Sequence, residues 1–403
     1  MALQASGPIS FRQIKDEFGL PPGRNLGAYR VSQTVSGLSI LALDNEVNSS
    51  GIVIALIPQS GTIMFSNFYS KKLNVVINET PSSGTATRVN ARSDYDLNNS
   101  KVNVIGGFKQ RPSDPKGIKA WIHTNGVIGS NQKTNIRQYS SLLTGSWNAT
   151  TDLRIDIGPS GAVFGAGGNG GAGGTCDNKD LTVGGNGMNG TSGIGINITN
   201  SVIINNRGYI QAGGGGGGGG GAAHAQHKFY ILFKGNKYRY VCNGGSGGGG
   251  GSGFPAGDFG PFGIGRATGG SGSNTSQNGI NGTSGTLFNG GNGGNSTKTG
   301  SVQSATVGGA GGGGSHNGLG GTGNTQNNDG RVATALDGEN GNGGNGGNGS
   351  NGGASGSHRA LRSNGGSGGL SGYSIVVDGS NGSVTIRDTG TIVGDITYNI
   401  NPS

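Results

Sequence analysis

The sequence predicts a mainly β protein organised around a bundle of packed polyglycine II helices (the polyproline-II type), preceded by a small mixed N-terminal docking module. Three observations carry that expectation. Glycine fills 93 of 403 positions, while charged residues make up only 12 %. Asn342, Asn345, Asn348, Asn351 and Ala354 return at every third residue with Gly or Ser between them. Short runs rich in Val and Ile enter and leave the glycine blocks. A period of three matches neither an α-helix at about 3.6 nor a strand at about 2. It matches polyproline II, with three residues per turn and a rise of about 3.1 Å.

The same phase recurs at Ala166, Asn169 and Ala172, at Val183, Asn186, Asn189 and Ser192, at Asn289, Asn292 and Asn295, and at Asn364, Ser367, Leu370 and Tyr373. A flexible Gly/Ser linker has no reason to hold a phase through separated blocks. Ordering glycine is costly, at about 1–2 kcal/mol per residue, and glycine has no side chain to bury in return. What remains is N–H to carbonyl bonding between helices, with Cα–H contacts as a smaller contribution. Such a bundle therefore needs many members and apolar anchors.

The remaining segments supply those anchors. S-G-P-I-S-F-R-Q-I (6–14) returns as S-G-T-I-M-F-S-N-F (60–68). In the first copy Ser10 and Gln13 have capping-box spacing for a helix through Phe18, with Phe11, Ile14 and Phe18 as its apolar stripe and Gly19 as its stop. The pair reads as a duplicated docking module, with Ile9, Phe11, Ile14, Phe18, Ile63, Phe65 and Phe68 as its docking residues. Short strands are expected at 102–105, 119–123, 126–129 and 153–157, with Trp121 and Trp147 in a core. G-A-V-F-G (161–165), G-Y-I-Q-A (208–212) and G-T-I-V-G (390–394) share Gly-x-[Val/Ile]-x-[Gly/Ala] and follow strand-like segments. Residues 227–241 carry a hairpin pattern, 254–266 an aromatic, Pro-containing loop, and 355–362 a basic stretch.

Composition also excludes function classes. With 30 % hydrophobic residues, several small cores are expected rather than one large one. The formal charge of +9 is scattered without a basic run, which argues against nucleic acid and for an anionic cell surface. Cys176 and Cys242 are too few for a disulfide framework, so free thiols are expected. The start MALQASGPIS lacks a secretory pattern, and no stretch approaches the roughly 20 apolar residues that span a bilayer. His224 and His227 form H-A-Q-H without a third ligand nearby, so no metal or other cofactor is expected. Asp152 and Asp156 have the spacing of a carboxylate pair on one strand face, which keeps polysaccharide cleavage as an alternative; the expectation is no enzyme. Tyr230, Tyr238, Tyr240, Phe254, Phe259 and Phe262, with Arg239, Arg266, Arg359 and Arg362, suit sugar stacking and recognition of anionic groups.

The opening S-G-P-I-S-F-R-Q-I-K-D-E-F-G resembles the N-terminus of many tailed-bacteriophage tail and fibre proteins. N-G-V-I-G-S (125–130), L-L-T-G-S-W (142–147), G-A-V-F-G-A-G-G-N-G-G-A-G-G (161–174), G-Y-I-Q-A followed by glycine (208–221) and T-G-T-I-V-G-D-I (389–396) resemble glycine-rich phage tail-fibre proteins. The layout is similar to fibre-tip adhesins of T-even-like phages. That resemblance implies a receptor-binding protein of the virion tail, assembled in the host cytoplasm and released at lysis. Its partners would be other phage tail or baseplate proteins and a host glycan or outer-membrane component. It would be a homotrimer or, as in the adhesin analogy, a single-copy tip. Residues 1–80 would dock to the virion, 81–160 form a β-rich connector, 161–372 a glycine scaffold with display loops, and 373–403 a C-terminal β cap. A purely structural tail component is the further alternative.

Overall fold

The computed structural model describes residues 3–30, 34–35, 38–39, 57, 60–81, 84–105, 108–178, 180–197, 202–231, 235–268, 274–295, 298–299, 306–307, 311, 313–314, 353–354, 359–378, 383–388 and 390–398. It is mainly β, with two α-helices among the described residues.

Helix α1 (Phe11–Phe18) starts where the capping box predicts: the Ser10 N–H donates to Gln13 Oε1 at 2.7 Å, and the Gln13 N–H to Ser10 Oγ at 3.3 Å. It ends at Gly19, whose φ is +88° and where a Cβ would lie 2.5 Å from the Lys109 nitrogen. The second copy keeps half of this device. Met64 replaces Ser10 and offers no hydroxyl, so only the Met64 N–H to Asn67 Oδ1 bond (2.7 Å) forms. The result is a single 3-10 turn, Phe65–Phe68. The copies pack together: the Leu3 N–H donates to the Lys71 carbonyl, the Ser70 N–H to that of Gln4, and the Phe18 and Phe68 rings lie 6.2 Å apart. Ile14, Phe18 and Phe68 are buried in the chain's own core, while Ile9, Phe11 and Ile63 are half-buried and Phe65 is 40 % exposed.

Next come β1 (Asn74–Asn78), β2 (Val89–Asn90), α2 (Ala91–Leu97), β3 (Val102–Ile105), β4 (Lys119–Thr124), β5 (Val127–Ile128), β6 (Ser140–Leu143), β7 (Asp152–Ile157) and β8 (Ala162–Phe164). After a first glycine excursion, which carries β9 (Cys176–Asp177) and β10 (Asp180–Leu181), follow β11 (Ser192–Asn197), β12 (Val202–Asn206) and β13 (Tyr209–Gln211). A second, longer excursion holds β14 (Ala223–Ile231), β15 (Gly235–Asn243), β16 (Gly265–Arg266), β17 (Thr275–Gln277) and β18 (Arg359–Arg362). The chain closes with β19 (Ile375–Asp378), β20 (Val384–Asp388), β21 (Thr391–Val393) and β22 (Ile396–Tyr398).

These strands stack as a three-faced parallel coil. The faces run β20-β12-β7-β4-β1-β3, β22-β19-β11-β6-β2 and β21-β13-β8-β5, parallel throughout except for the β1–β3 pair. Strict register puts like residues above one another: Ile77, Ile122, Ile155, Ile204 and Ile386 on the first face, Val89, Leu142, Ile194, Ile375 and Ile396 on the second. The third ladder is Ile128, Val163, Ile210 and Ile392. The Gly-x-[Val/Ile]-x-[Gly/Ala] motif is this third face seen turn by turn. Its leading glycine is a corner where the turns touch: a Cβ on Gly208 would lie 2.1 Å from the Gly161 oxygen, and one on Gly390 2.3 Å from that of Gly208. The regions expected as a connector and as a C-terminal cap are thus successive turns of one body.

The glycine excursions leave and rejoin this coil. Among the described residues eight runs lie side by side: 165–174, 183–191, 212–221, 244–253, 255–264, 278–286, 289–295 and 363–373. They pair through every third N–H. Gly168, Gly171 and Gly174 donate to the carbonyls of Gly214, Gly217 and Gly220, each at 2.8 Å. Run 244–253 bonds to five others, those at 165–174, 212–221, 255–264, 278–286 and 289–295. The stretch 342–352 lies outside the described residues; Gly353–Ala354, which ends that repeat, pairs antiparallel with Thr306–Val307. Segment 254–266, expected as a display loop, is instead largely the run 255–264. Proline fits there because it brings a fixed φ and no N–H to satisfy.

The residue in each third position has its own logic. Where a glycine N–H meets a carbonyl, the third N–H meets a side chain. Asn186 Oδ1 accepts from the Ser367 N–H (2.9 Å), Asn189 Oδ1 from that of Leu370 (2.8 Å), and Asn281 Oδ1 from that of Phe262 (2.8 Å). Between runs 165–174 and 255–264 the match is residue by residue. The Gly167, Gly170 and Gly173 N–H groups donate to Pro255, Asp258 and Pro261, a register that sets Ala166, Asn169 and Ala172 beside those three. Asn169 Oδ1 accepts the Asp258 N–H at 2.9 Å, whereas Ala stands beside each proline, which has no N–H to offer. Asn169→Ala is therefore expected to cost about 1 kcal/mol. Adding Asp258→Pro should recover most of it, giving a positive coupling in a double-mutant cycle by denaturant titration. Additive losses would contradict this account of the third position.

Cys176 and Cys242 form a disulfide, not the free thiols expected from their number. Two glycine runs, 183–191 and 212–221, lie between them in sequence, and both thiols come to the same end of the bundle.

Candidate functional site

Every described glycine run starts or ends at one of two places. At the near end is the coil: the Ser130 N–H donates to the Phe254 carbonyl (2.9 Å), and Phe288 packs against Phe164 and Tyr209 with centroids 5.6 and 5.3 Å apart. At the far end the chain forms a four-stranded sheet in the order β17-β15-β14-β18 and a small sheet in the order β10-β9-β16. The disulfide joins β9 to β15 and so ties the two sheets. In the larger sheet β14 and β15 are an antiparallel hairpin with Lys228 opposite Tyr238 and Gln226 opposite Tyr240. β18 adds along the other side of β14, with Arg359 opposite Gln226 and Arg362 opposite Ala223.

This geometry separates the residues expected to act together. Tyr230, Tyr238, Arg239 and Tyr240 lie on the hairpin, Arg359 and Arg362 on its edge neighbour, and the exposed Arg266 on β16, all at the far end. Phe259 and Phe262, 42 % and 39 % exposed, line the flank of run 255–264 instead. Phe254 sits at the near end, its ring so close to Gly129 that a Cβ there would lie 2.4 Å away. The hairpin was legible from its aromatic pattern and turn residues. The alignment of 359–362 beside it was not, because no local sequence signal connects strands so far apart.

His224 was weighed only as half of H-A-Q-H. His224 and His227 stand three positions apart on β14, opposite Cys242 and Arg239 of β15. His224 is 2 % exposed, neither ring nitrogen has a hydrogen-bond partner, and its ring lies 5.7 Å from that of Tyr240. Burial pushes its pKa down, so the neutral imidazole is favoured.

The carboxylates considered for cleavage are spent on the coil's own charges. Asp152 pairs with Arg154 at 3.4 Å. Asp156 accepts from Arg207 at 3.2 Å and lies 2.8 Å from His123 Nδ1, with His123 and Asp156 both buried. A third cluster sets Lys101 Nζ between Glu79 (2.8 Å) and Asp94 (2.9 Å), and burial raises the Glu79 carboxyl to about 7.

Comparison with known proteins finds a family model described as phage tail fibre adhesin Gp38, which matches residues 85–306. A solved structure, the gp37-gp38 adhesin tip complex of the bacteriophage S16 long tail fibre, is similar over 97 % of this chain and 99 % of that one, at 16 % identity and a TM-score of 0.33. No curated protein matches the chain. Because the family match takes in more than half of the sequence, including seven of the eight glycine runs in full and the far-end hairpin, the chain belongs to the phage tail fibre adhesin Gp38 family and is a receptor-binding adhesin of the virion tail.

Proposed function

We propose that the glycine runs are polyglycine II helices packed into a rigid shaft, and that the shaft holds the far-end sheets outward for non-covalent contact with the host surface. One observation supports this most strongly: run 244–253 is walled in on every side. A Cβ on Gly248, Gly249 or Gly250 would lie 2.0, 2.0 or 2.1 Å from the carbonyl oxygens of Gly217, Gly291 and Gly257, which belong to three different runs. A chain so enclosed by backbone is a structural member. The far end is the part of the shaft free of the coil.

The N-terminal module and the coil are the natural attachment side. There Met64 and Phe65 are exposed and Ile9, Phe11 and Ile63 half-buried, apolar surface suited to another tail-fibre protein. A three-faced coil that closes within one chain supports a single copy at the fibre tip over a homotrimer. Binding without cleavage is favoured because Asp152 and Asp156 are already engaged by Arg154, Arg207 and His123.

Purified protein is expected to compete with virions for host cells. Replacing residues 228–238 by a short Asn-Gly turn should abolish that competition while the Cys176–Cys242 disulfide still forms. Competition equal to that of the intact protein would remove the far end as the receptor site. Release of oligosaccharide from host polysaccharide would overturn the non-enzymatic reading.

A further inference from the structure

The Cys176–Cys242 bridge sits in surroundings furnished for thiols. Both sulfurs belong to fully buried residues in a small cluster with Ala222, against which the half-buried Leu181 and Ala267 pack. Asp177, Arg266 and Thr268 close by in the same strands are exposed, so the sulfurs lie only one layer below the surface of the far end.

Asn178 supplies the first acceptor. Its carbonyl oxygen lies 2.9 Å from Cys242 Sγ and 3.6 Å from Cys176 Sγ. That oxygen cannot turn away, because the residue carrying it is pinned on both sides. The Asn178 N–H donates to the Arg266 carbonyl at 2.7 Å, and Asn178 Oδ1 accepts from the N–H and the hydroxyl of Thr268. A disulfide sulfur carries no proton for such a carbonyl, whereas a thiol is a donor.

His224 supplies the second acceptor. It stands directly opposite Cys242 in the β14–β15 ladder. Directly opposed residues of an antiparallel pair share a face, with Cβ atoms about 4.5–5.5 Å apart. Two contacts place the imidazole on the side of the sulfurs. Ala222, two residues earlier, packs in the cysteine cluster, and the ring of Tyr240, two residues before Cys242, lies 5.7 Å from the His224 ring. His224 is 2 % exposed and neither ring nitrogen has a hydrogen-bond partner. Burial favours the neutral ring, so one nitrogen holds a lone pair. A buried polar group left unpaired is costly, and the bridged form offers it no relief. Once the bridge is open, the Cys242 thiol can rotate about its Cα–Cβ bond and donate to that nitrogen.

Two acceptors thus surround two sulfurs that, while joined, have no proton to give. We propose that Cys176 and Cys242 are a reversible thiol–disulfide couple that exchanges with low-molecular-weight thiols, and that Asn178 and His224 stabilise its dithiol form. Closing consumes a small disulfide such as glutathione disulfide. Cys176 attacks it, and one small thiol leaves with the Cys176 proton, giving a mixed disulfide. Cys242, its proton taken by His224, then attacks the Cys176 sulfur, and the second small thiol departs with that proton. Two protein thiols are oxidised to one disulfide while one small disulfide is reduced to two thiols; opening is the reverse. The chain has two cysteines, so opening removes the only covalent cross-link between the two far-end sheets. The inference goes beyond the adhesin reading and does not depend on which part meets the host.

The test incubates full-length protein at graded ratios of glutathione to glutathione disulfide, starting once from the oxidised and once from the reduced form. Acid quenching, alkylation and mass spectrometry then count the thiols. Both starts are expected to reach the same mixture, with the dithiol predominant in excess glutathione while circular dichroism shows the protein folded. A structural disulfide, by contrast, resists glutathione. His224→Phe keeps a ring beside Tyr240 and removes the acceptor, so it should shift the balance about fivefold or more toward the disulfide. His224→Gln, which retains an acceptor, should shift it less. A histidine that merely packs would affect both forms alike and leave the ratio unchanged. A bridge that stays closed in excess glutathione overturns the proposal, and so does a His224→Phe protein with the ratio of the parent. Should His224→Phe fail to fold, the glutathione series on the parent protein decides alone.

Discussion

Gly248→Ala is expected to destabilise the shaft by more than about 3 kcal/mol, whereas Gly185→Ala, in another run, should cost about 1 kcal/mol or less. The chemistry of the change is the same at both sites, and so is the entropy removed from the unfolded chain. What differs is the wall. A Cβ on Gly248 would lie 2.0 Å from the Gly217 oxygen and 2.5 Å from its carbon. Those atoms belong to backbone fixed by its own bonds: the Gly217 N–H donates to Gly249, and the Gly217 carbonyl accepts from Gly171. No side chain can swing aside, so a run must move and break bonds on several neighbours. On Gly185 the nearest atom would be the Ala172 nitrogen at 3.0 Å, a contact relieved by a small shift. Denaturation midpoints of the two variants separate the cases. Similar small losses would mean that the runs are loosely packed.

The second large effect is expected at Ile204. It sits in the ladder Ile122, Ile155, Ile204 and Ile386 and is fully buried, with coil turns on both sides. Ile204→Ala opens a cavity that its neighbours, held in strand register, cannot close, so a loss of about 2–5 kcal/mol is expected. Ile203, one residue earlier, points to the other side of the sheet and is half-buried; Ile203→Ala should cost about 1 kcal/mol. Because runs 165–174 and 212–221 grow directly out of β8 and β13, the coil variant should also lower the melting temperature of the shaft. Equal costs at 203 and 204 would contradict the inward ladder.

Much of this architecture was visible in the chain. The period of three at 166–172, 289–295 and 364–373 falls on runs bonded at every third residue, because a period of that kind leaves one face for side chains and two for neighbours. The capping residues Ser10 and Gln13 act as their spacing required, through bonds confined to four residues. The strands expected at 102–105, 119–123 and 153–157 followed from alternating or apolar runs, and form at Val102–Ile105, Lys119–Thr124 and Asp152–Ile157. Their stacking did not follow, since turns of the coil are joined through excursions as long as 212–374. One clue was available: G-V-I-G-S at 126–130 matches the corner motif but for Ser in its last position, and its Val127 and Ile128 are in register with Ala162 and Val163. The disulfide was missed because two thiols 66 residues apart give no spacing signal, and only the antiparallel return of the runs brings them together.

The far end was legible in part. Tyr238 and Tyr240 announced a hairpin by alternation, but the segment 254–266 looked like a loop because of its prolines and aromatics. Its glycines at 257, 260 and 263 hold the period of three, and that period, more than the side chains between, sets its place in the bundle. His224 gave no signal of its own; its isolation follows from burial beside Tyr240, which depends on where run 212–221 delivers the strand.

Amide exchange on uniformly 15N-labelled protein tests the central claim most directly. If the runs are packed helices, the amides of Gly217, Gly248 and Gly251 should exchange as slowly as those of Val163 and Ile204 in the coil, and the exposed Gly84, with open space where a Cβ would stand, should exchange fast. Exchange of the run amides at the rate of an unstructured chain would show that the glycine segments do not form a shaft.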